Sequence, residues 1–258
     1  MDRVRALFIF FIGVLFVADA ASAFAAIAMV NVDWSQLQVE LVPLVGTPPV
    51  TLTYTEQGAQ IAASAKTPRG GQQDFEEVLD NWSEQKTLAA HTPGADSAAA
   101  IGAALLKTSA SITALPPACC DSTETSGRIA RTANFTVAGA GSVIFSAPYS
   151  LSVDGIPFDS SNISTAEILA TLNFSGEDGS FSNTSQSDGL TSLSSGPVTT
   201  SGTLRFGILA SSSGTGSLYV SLSSSAIAVY RPIPEPSVCL ALVGGLSGLL
   251  IFCRRRMA

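Results

Sequence analysis

The chain has 258 residues, a formal net charge of −7, 46% hydrophobic side chains and only 13% charged ones. So few charges, together with a mean hydropathy of +0.37, exclude an intrinsically disordered chain. The acidic balance argues against a nucleic-acid partner, which requires a basic surface, and the length allows one domain of ordinary size.

Residues 1–23 have the pattern of a secretory signal peptide. Arg3 and Arg5 precede an apolar run at 6–17, and Ala21-Ser22-Ala23 follows with small residues at the two positions that signal peptidase reads. The run is shorter than the roughly 20 residues that a spanning helix needs. We therefore expect export and cleavage after Ala23. A second small-x-small site at Ala26-Ile27-Ala28 and an uncleaved anchor helix are the alternatives.

Residues 24–231 form the predicted exported domain, and their first part mixes two kinds of pattern. Alternating apolar residues predict strands at 37–41 and 52–54. Apolar side chains at helical spacing predict a helix over 74–82, with an aspartate as its N-cap. An alanine-rich segment predicts a second short helix at 98–107, and 115–132 is expected to be a long loop.

The second part of that domain, 133–231, is predicted to be all β and is rich in serine and threonine. Regularly spaced short strands with Asp-Gly turn signals favour a β-sandwich or jelly roll. The whole chain is thus expected to be mainly β, with one or two short helices, an N-terminal signal helix and a C-terminal transmembrane helix. The predicted strands are 134–138, 142–146, 149–154, 165–174, 203–209, 217–223 and 226–230.

The last segment, 232–258, contains three features in a fixed order. Pro234-Glu235-Pro236 comes first, an uncharged apolar segment at 237–253 follows, and Arg254, Arg255 and Arg256 come last. The apolar segment is about 26 Å long as a helix, close to the ~30 Å core of a bilayer. Arginines after the span predict a cytoplasmic tail and an exported domain outside.

These three features resemble the PEP-CTERM protein-sorting domain. The resemblance implies a substrate of exosortase, a membrane-embedded transpeptidase-like enzyme that would act near Pro234-Glu235-Pro236. It also implies a bacterium with an outer membrane and an exopolysaccharide system. The protein would cross the inner membrane, be anchored there transiently, and pass to the cell surface or the extracellular matrix. A plain single-pass membrane anchor is the alternative reading of 237–253.

No catalytic constellation is visible in the exported domain, and we predict that the protein is not an enzyme. His91 is the only histidine, so a Ser-His-Asp triad would have to use it, and no Gly-x-Ser-x-Gly elbow accompanies it. A zinc site with two histidines is excluded by the same count. A hydrolase using acidic loops would need a carboxylate pair that no spacing indicates.

Two adjacent cysteines, Cys119 and Cys120, are the only pair in the exported domain. Neighbouring Cα atoms lie ~3.8 Å apart, whereas a disulfide usually spans ~4.4–6.8 Å. A strained vicinal disulfide in the oxidising periplasm, links between molecules, and free thiols all stay open.

No cofactor is expected, with one exception. Acidic residues in predicted loops would supply oxygen ligands for Ca²⁺ if they converged at one end of the fold, although Asp-Gly pairs also simply form turns. These residues are Asp154, Asp159, Glu177, Asp178 and Asp188.

The expected role is therefore structural or interactive, with exosortase, signal peptidase, the inner membrane and exopolysaccharide as partners. The alternative is a carbohydrate-binding module that uses Trp34, Trp82, Tyr149 and Tyr219. Asn-x-Ser/Thr triplets are expected as chance matches in so serine-rich a chain. They begin at Asn81, Asn134, Asn162, Asn173 and Asn183.

Overall fold

The structure, a computed structural model, describes residues 26–68, 70–113, 122–155, 163–192 and 196–229. These residues form thirteen β-strands in two antiparallel sheets and one three-residue 3-10 helix, Trp34–Gln36. The predicted mainly-β class is confirmed. No helix in this part of the chain is long and apolar enough to cross a membrane.

The strands follow one another with short connections. In chain order they are β1 (Ala26–Asp33), β2 (Gln38–Pro43), β3 (Thr51–Thr67), β4 (Gly71–Leu79), β5 (Lys86–Thr92), β6 (Ala95–Ile101), β7 (Leu105–Ile112), β8 (Ser122–Ala138), β9 (Gly141–Asp154), β10 (Ile163–Gly176), β11 (Phe181–Thr191), β12 (Val198–Ala210) and β13 (Gly214–Val229). A seven-stranded sheet has the order β12-β9-β1-β7-β6-β5, with β2 paired to β9. A six-stranded sheet has the order β11-β10-β13-β8-β3-β4.

The two sheets face each other in a sandwich-like arrangement, because each strand turns one apolar face inward. Phe135 of the six-stranded sheet meets Phe145 of the seven-stranded sheet with ring centroids 6.2 Å apart, and Phe145 stacks on Phe206. The apolar residues that alternate with outward-facing ones along β10, β12 and β13 are all buried, as expected for the strands predicted there. They are Ile168, Ala170, Leu172, Phe174, Leu204, Phe206, Ile208, Leu218, Val220 and Leu222.

The sandwich tapers towards one end, which we call the narrow end. There the hydroxyl of Thr125 in β8 reaches across to the Asp96 carbonyl of the opposite sheet at 2.9 Å. A Cβ added to Gly127 would lie only 2.7 Å from the Ala98 carbonyl oxygen. Small side chains therefore let the sheets approach here, while phenylalanines hold them apart at the other end.

Both ends of the described sandwich lie at the narrow end. Ala26, the first residue of β1, packs in one buried cluster with Ala226 and Ala228 near the end of β13. The chain therefore enters and leaves the fold on the same side.

Both helix predictions were wrong. Residues 74–79 belong to edge strand β4, which pairs with β3 from Ala59↔Leu79 to Thr67↔Gly71. Residues 98–107 contain the end of β6, a turn and the start of β7. Alanine favours helices intrinsically, but here the close approach of the sheets at the narrow end selects small residues in strands.

Three further points of the local prediction need correction, although the residues predicted as strands in β9 and β13 are confirmed as strands. The expected loop at 115–132 is strand β8 from Ser122 onward, while 114–121 lies outside the described residues. The pairs 142–146 with 149–154 and 217–223 with 226–230 are each one continuous strand. Strand β11 was not predicted, because its half-buried inward positions include Ser182, Thr184 and Gln186 rather than apolar residues.

Candidate functional site on the outer sheet face

The outer surface of the six-stranded sheet, which we call the polar face, presents a regular array of small polar side chains. Its residues alternate along each strand with the buried core residues. Strand register aligns them in rows across the sheet. One row contains Thr171, Tyr219, Thr132 and Gly58 on β10, β13, β8 and β3.

The next row, two residues further along each strand, is the amide row. It contains Asn183, Asn173, Ser217, Asn134 and Glu56 on five neighbouring strands.

Side-chain hydrogen bonds connect the members of the amide row. Asn183 donates to the Asn173 side-chain oxygen, and Asn173 lies within 3.4 Å of the Ser217 hydroxyl. Asn134 donates to the Glu56 carboxylate at 2.8 Å. Each amide has two donor hydrogens and an acceptor oxygen, so these contacts orient the side chains and use only part of their hydrogen-bonding capacity.

Several open depressions lie on the polar face, and two of them border Tyr219 and the amide row. The larger, about 550 Å³, is lined by Tyr219, Thr132, Gln60 and Asp80, and it opens beside Gly58, which has no side chain. The absence of a Cβ matters here, since one would lie 3.2 Å from the Thr132 hydroxyl and occupy the space in front of it.

The smaller depression, about 380 Å³, borders the amide row. It is lined by Asn134, Asn173, Ser217 and Phe181, among others. Phe181 begins edge strand β11, is 71% exposed and lies one row beyond the amide row, opposite Ser175. The amide row therefore runs between the row of Tyr219 and the row of Phe181.

The charge of the two depressions is neutral to negative. None of the described residues that line them is basic, whereas Glu56 and Asp80 contribute carboxylates to the larger one. Arg128, the one basic side chain at the outward positions of β8, lies two rows away from Tyr219. The arrangement offers aromatic surface, neutral donors and acceptors, and carboxylate acceptors.

Two of the four aromatic residues predicted as glycan contacts are inside the core. Trp34 is 6% exposed and Trp82 is 9% exposed, and their rings meet edge to face at 5.4 Å. The Trp82 indole N–H donates to the Thr132 carbonyl at 2.9 Å. Both side chains are therefore structural and lie out of reach of a ligand in solvent.

The two tyrosines differ from each other in position. Tyr149 is half-buried at a lateral edge of the sandwich, where its hydroxyl binds the Asp188 carboxylate, and this bond raises the Tyr149 pKa to about 12. Tyr219 is half-buried on the polar face. Of the predicted aromatic candidates, Tyr219 lines the larger of the two depressions beside the amide row.

Among the acidic residues considered for Ca²⁺, the four that the structure describes do not converge at one site. Asp154 ends β9 near the start of β1, whereas Glu177 and Asp178 lie in the β10–β11 turn at the opposite end. Asp188 binds Tyr149, and Asp159 lies outside the described residues. In the part of the chain that the structure describes, no three His, Cys, Asp or Glu residues form a metal-binding group.

Asp178 instead organises its turn, together with Gly179 at φ +81°. Its carboxylate accepts from the Ser180 backbone N–H at 2.9 Å and from the Ser211 hydroxyl at 2.7 Å. Hydrogen bonds to the ionised form lower the Asp178 pKa. The predicted Asp178-Gly179 turn is thus confirmed, whereas Asp188-Gly189 lies within strand β11.

His91 lies on edge strand β5 rather than in a loop. Its Nδ1 contacts the carboxylate of Asp96, its partner across the β5–β6 hairpin, and both side chains are largely solvent-exposed. This is the geometry of a surface pair between neighbouring strands.

Several predicted site residues lie outside the described residues. They are Ala21, Ala23, Cys119, Cys120, Pro234, Glu235, Pro236, Arg254, Arg255 and Arg256.

Comparisons with known proteins add no family. No family profile matches the chain, and no curated protein matches it either. Among solved structures, a 7S globulin of Momordica charantia aligns at 6% identity and a TM-score of 0.10, over 78% of this chain and 72% of that one. A score this low carries no information about fold or function.

The amide row was missed by sequence reasoning, which treated its three asparagines only as separate Asn-x-Ser/Thr triplets. A partial signal existed, since Asn173 and Asn134 each stand between two apolar residues and so occupy outward strand positions. Their alignment depends on pairing between residues far apart in sequence, which alternation alone does not reveal.

Proposed function

We propose that this protein is an exported protein of the bacterial cell surface or exopolysaccharide matrix, sorted by an exosortase, with a structural or interaction role. The observation that carries the proposal is the ordered series of Pro234-Glu235-Pro236, the apolar segment 237–253 and Arg254–Arg256, preceded by a signal-peptide pattern at 1–23. The proposal includes a signal helix removed after Ala23 and a single C-terminal transmembrane helix.

The position of the strands supports this division of the chain. The described sandwich begins at Ala26, just after the expected cleavage site, and ends at Val229, just before the proline-rich segment. In the sequence, the proposed targeting segments 1–23 and 232–258 therefore lie on either side of the described strands. Because both chain ends leave the narrow end, the narrow end faces the membrane while the protein is anchored.

The composition of the sandwich supports a surface or matrix location. Residues 24–233 contain 17 acidic and 8 basic side chains, a difference of −9. The outward positions of the six-stranded sheet are mostly serine, threonine, asparagine and glutamine. Such a surface is hydrated by hydroxyl and amide groups and stays soluble with few charges.

The proposal is tested by following the full chain in a host that has an exosortase, with and without the exosortase gene. Three proteins are compared: the wild type, a triple variant Pro234→Ala/Glu235→Ala/Pro236→Ala, and a control Pro232→Ala outside the motif. The measurements are inner-membrane fractionation and the intact mass of protein recovered from the envelope and the medium.

We expect the wild type and the control to leave the inner membrane with masses that lack both terminal segments. The triple variant, and the wild type in the host without exosortase, should keep the C-terminal segment and stay in the membrane. A wild type that stays there with its tail intact in the exosortase host would identify a plain single-pass anchor and overturn the sorting proposal.

A further inference from the structure

We propose that the polar face binds a neutral polysaccharide chain along the amide row, between Tyr219 and Phe181. The inference deepens the interaction role proposed above and rests on it for its biological setting. Binding itself does not require the sorting step, so the two can fail separately.

The length of the site selects a polymer rather than a single sugar. The amide row crosses five strands, and at ~4.8 Å per strand it extends over about 19 Å. Tyr219 and Phe181 are two strands and four residues apart, which places them about 16 Å from each other. A ligand that contacts both rings therefore spans several sugar units.

The chemistry of the site matches both the apolar C–H face and the polar hydroxyl groups of a sugar ring. The ring faces of Tyr219 and Phe181 offer apolar contact to the C–H groups of a pyranose. The side-chain amides of Asn173 and Asn134 present donors and acceptors that fit its hydroxyl groups. Their orientation is already set by contacts with Asn183, Ser217 and Glu56, so little side-chain entropy is lost on binding.

Charge decides which polysaccharide is favoured. The described lining residues include Glu56 and Asp80 and no basic side chain. An anionic polymer would approach carboxylates without a compensating cation, which is unfavourable. A neutral glycan meets no such penalty, and its hydroxyls can donate to the carboxylates.

A second copy of this chain fits the polar face less well. The core of a stable protein interface is usually apolar and rich in aromatic side chains. On the polar face, Tyr219 and Phe181 are separated by the amide row, and the positions between them are Thr171, Asn173 and Ser217. The separation that suits an extended glycan leaves no continuous apolar centre for a dimer.

The test is isothermal titration of the full chain in lipid nanodiscs without glycolipid. The probes are glucose and neutral hexasaccharides of β-1,4-glucan, β-1,3-glucan, chitin and mannan, with alginate as the anionic polymer. Tyr219→Ala, Phe181→Ala and Asn173→Ala are compared with Ser223→Ala, a matched control on the same face of β13 that lines neither depression.

We expect at least one neutral hexasaccharide to bind and glucose to bind much more weakly. Tyr219→Ala and Phe181→Ala should each weaken the affinity by about tenfold or more, Asn173→Ala by a few-fold, and Ser223→Ala should leave it unchanged. Equal melting temperatures of the variants confirm that the fold is intact.

Three outcomes would overturn the inference. The first is that no neutral hexasaccharide binds with a Kd below about 1 mM, or about −4 kcal/mol. The second is that both aromatic variants bind as the wild type does. The third is that alginate binds more tightly than every neutral probe. None of these results depends on the exosortase, because the chain is purified before titration.

Discussion

The guanidinium carbon of Arg131 lies 5.0 Å from the ring centroid of Trp34 and 5.5 Å from that of Trp82. Arg131 is 1% exposed, and its Nη2 donates to the carbonyls of Gly102 at 2.6 Å and Trp82 at 3.2 Å. Its Nε and Nη1 have no hydrogen-bond partner among the described residues. Burial lowers the Arg131 pKa to about 10, so the side chain is charged at neutral pH. Two aromatic faces and two carbonyls stabilise a cation that usually needs a carboxylate.

Replacing Arg131 tests whether its volume or its charge contributes more to the stability of the packing around Trp34 and Trp82. Arg131→Met keeps most of the volume and removes both the desolvated charge and the unpaired N–H groups, at the cost of two carbonyl contacts. We expect its free energy of unfolding to lie within about 2 kcal/mol of the wild type. Arg131→Ala also leaves a cavity between two indoles and should cost about 3–5 kcal/mol. Urea unfolding measures both, and equal losses would show that the charge itself holds the cluster.

Because the sheets approach closely at Gly127, we expect a single added methyl group there to destabilise the fold. Gly127→Ala should reduce the free energy of unfolding by about 1–3 kcal/mol, since its Cβ must displace the backbone carbonyl of Ala98. Gly189→Ala on edge strand β11 is the control, because the nearest atom to its Cβ belongs to the flexible Glu167 side chain, at 3.4 Å. The midpoint of urea unfolding reports both, and a neutral Gly127→Ala would contradict the taper.

Two tyrosines predict a loss of stability at alkaline pH. Burial raises the Tyr54 pKa to about 12, and the Asp188 contact raises that of Tyr149 to about 12. Each folded-state pKa exceeds the ordinary value of 10. The contribution of each protonated tyrosine to the free energy of unfolding is therefore complete below pH 10 and is lost as the pH rises towards 12.

The lowered pKa of Arg131 makes the free energy of unfolding rise with pH in this range, which opposes the effect of the tyrosines. The test therefore compares the pH dependence of each tyrosine variant with that of the wild type. The free energy of unfolding should fall less between pH 9.5 and 12 in Tyr149→Phe and in Tyr54→Phe than in the wild type. Parallel profiles in the three proteins would refute the assignment.

The position of β1 predicts which of the two candidate cleavage sites is used. Ala26 and Ala28 are buried in a central strand, paired to β7 on one side and, from Ile27 onward, to β9 on the other. A cut after Ala28 would remove these pairs and should cost about 3 kcal/mol or more of stability. Intact mass of the exported protein should therefore give Phe24 as its first residue. A stable product that begins at Met29 would be the contrary result.

How far the fold follows from the sequence differs from strand to strand. In β10, Ile168, Leu172 and Phe174 alternate with polar residues, so both the strand and its buried face were predictable. Edge strands β4 and β11 carry polar residues on both faces, because neither face is fully covered. The pattern of β4 was therefore interpreted as a helix, and the pattern of β11 gave no prediction. The alanines of β6 are explained only by the approach of β8, a contact between segments about 30 residues apart.

The candidate site was less predictable than the fold. Tyr219 was singled out as an exposed aromatic, but Trp34 and Trp82 were grouped with it, because residue type does not distinguish a surface aromatic from a core one. The amide row requires Asn134 and Asn173, 39 residues apart, to align on either side of Ser217. That alignment is a property of strand register, which no local pattern in this chain specifies.

The place of β13 within its sheet has a mechanical consequence for an anchored protein in flowing medium. β13 is a central strand, hydrogen-bonded to β10 along one edge and to β8 along the other for most of its length. Tension applied at the C-terminal end, beyond Val229, would act along this strand and shear both ladders at once rather than open them bond by bond. If the protein is attached through its C-terminal segment and binds a glycan on the polar face, as proposed, tension between the two points would load a strand that is paired along both of its edges.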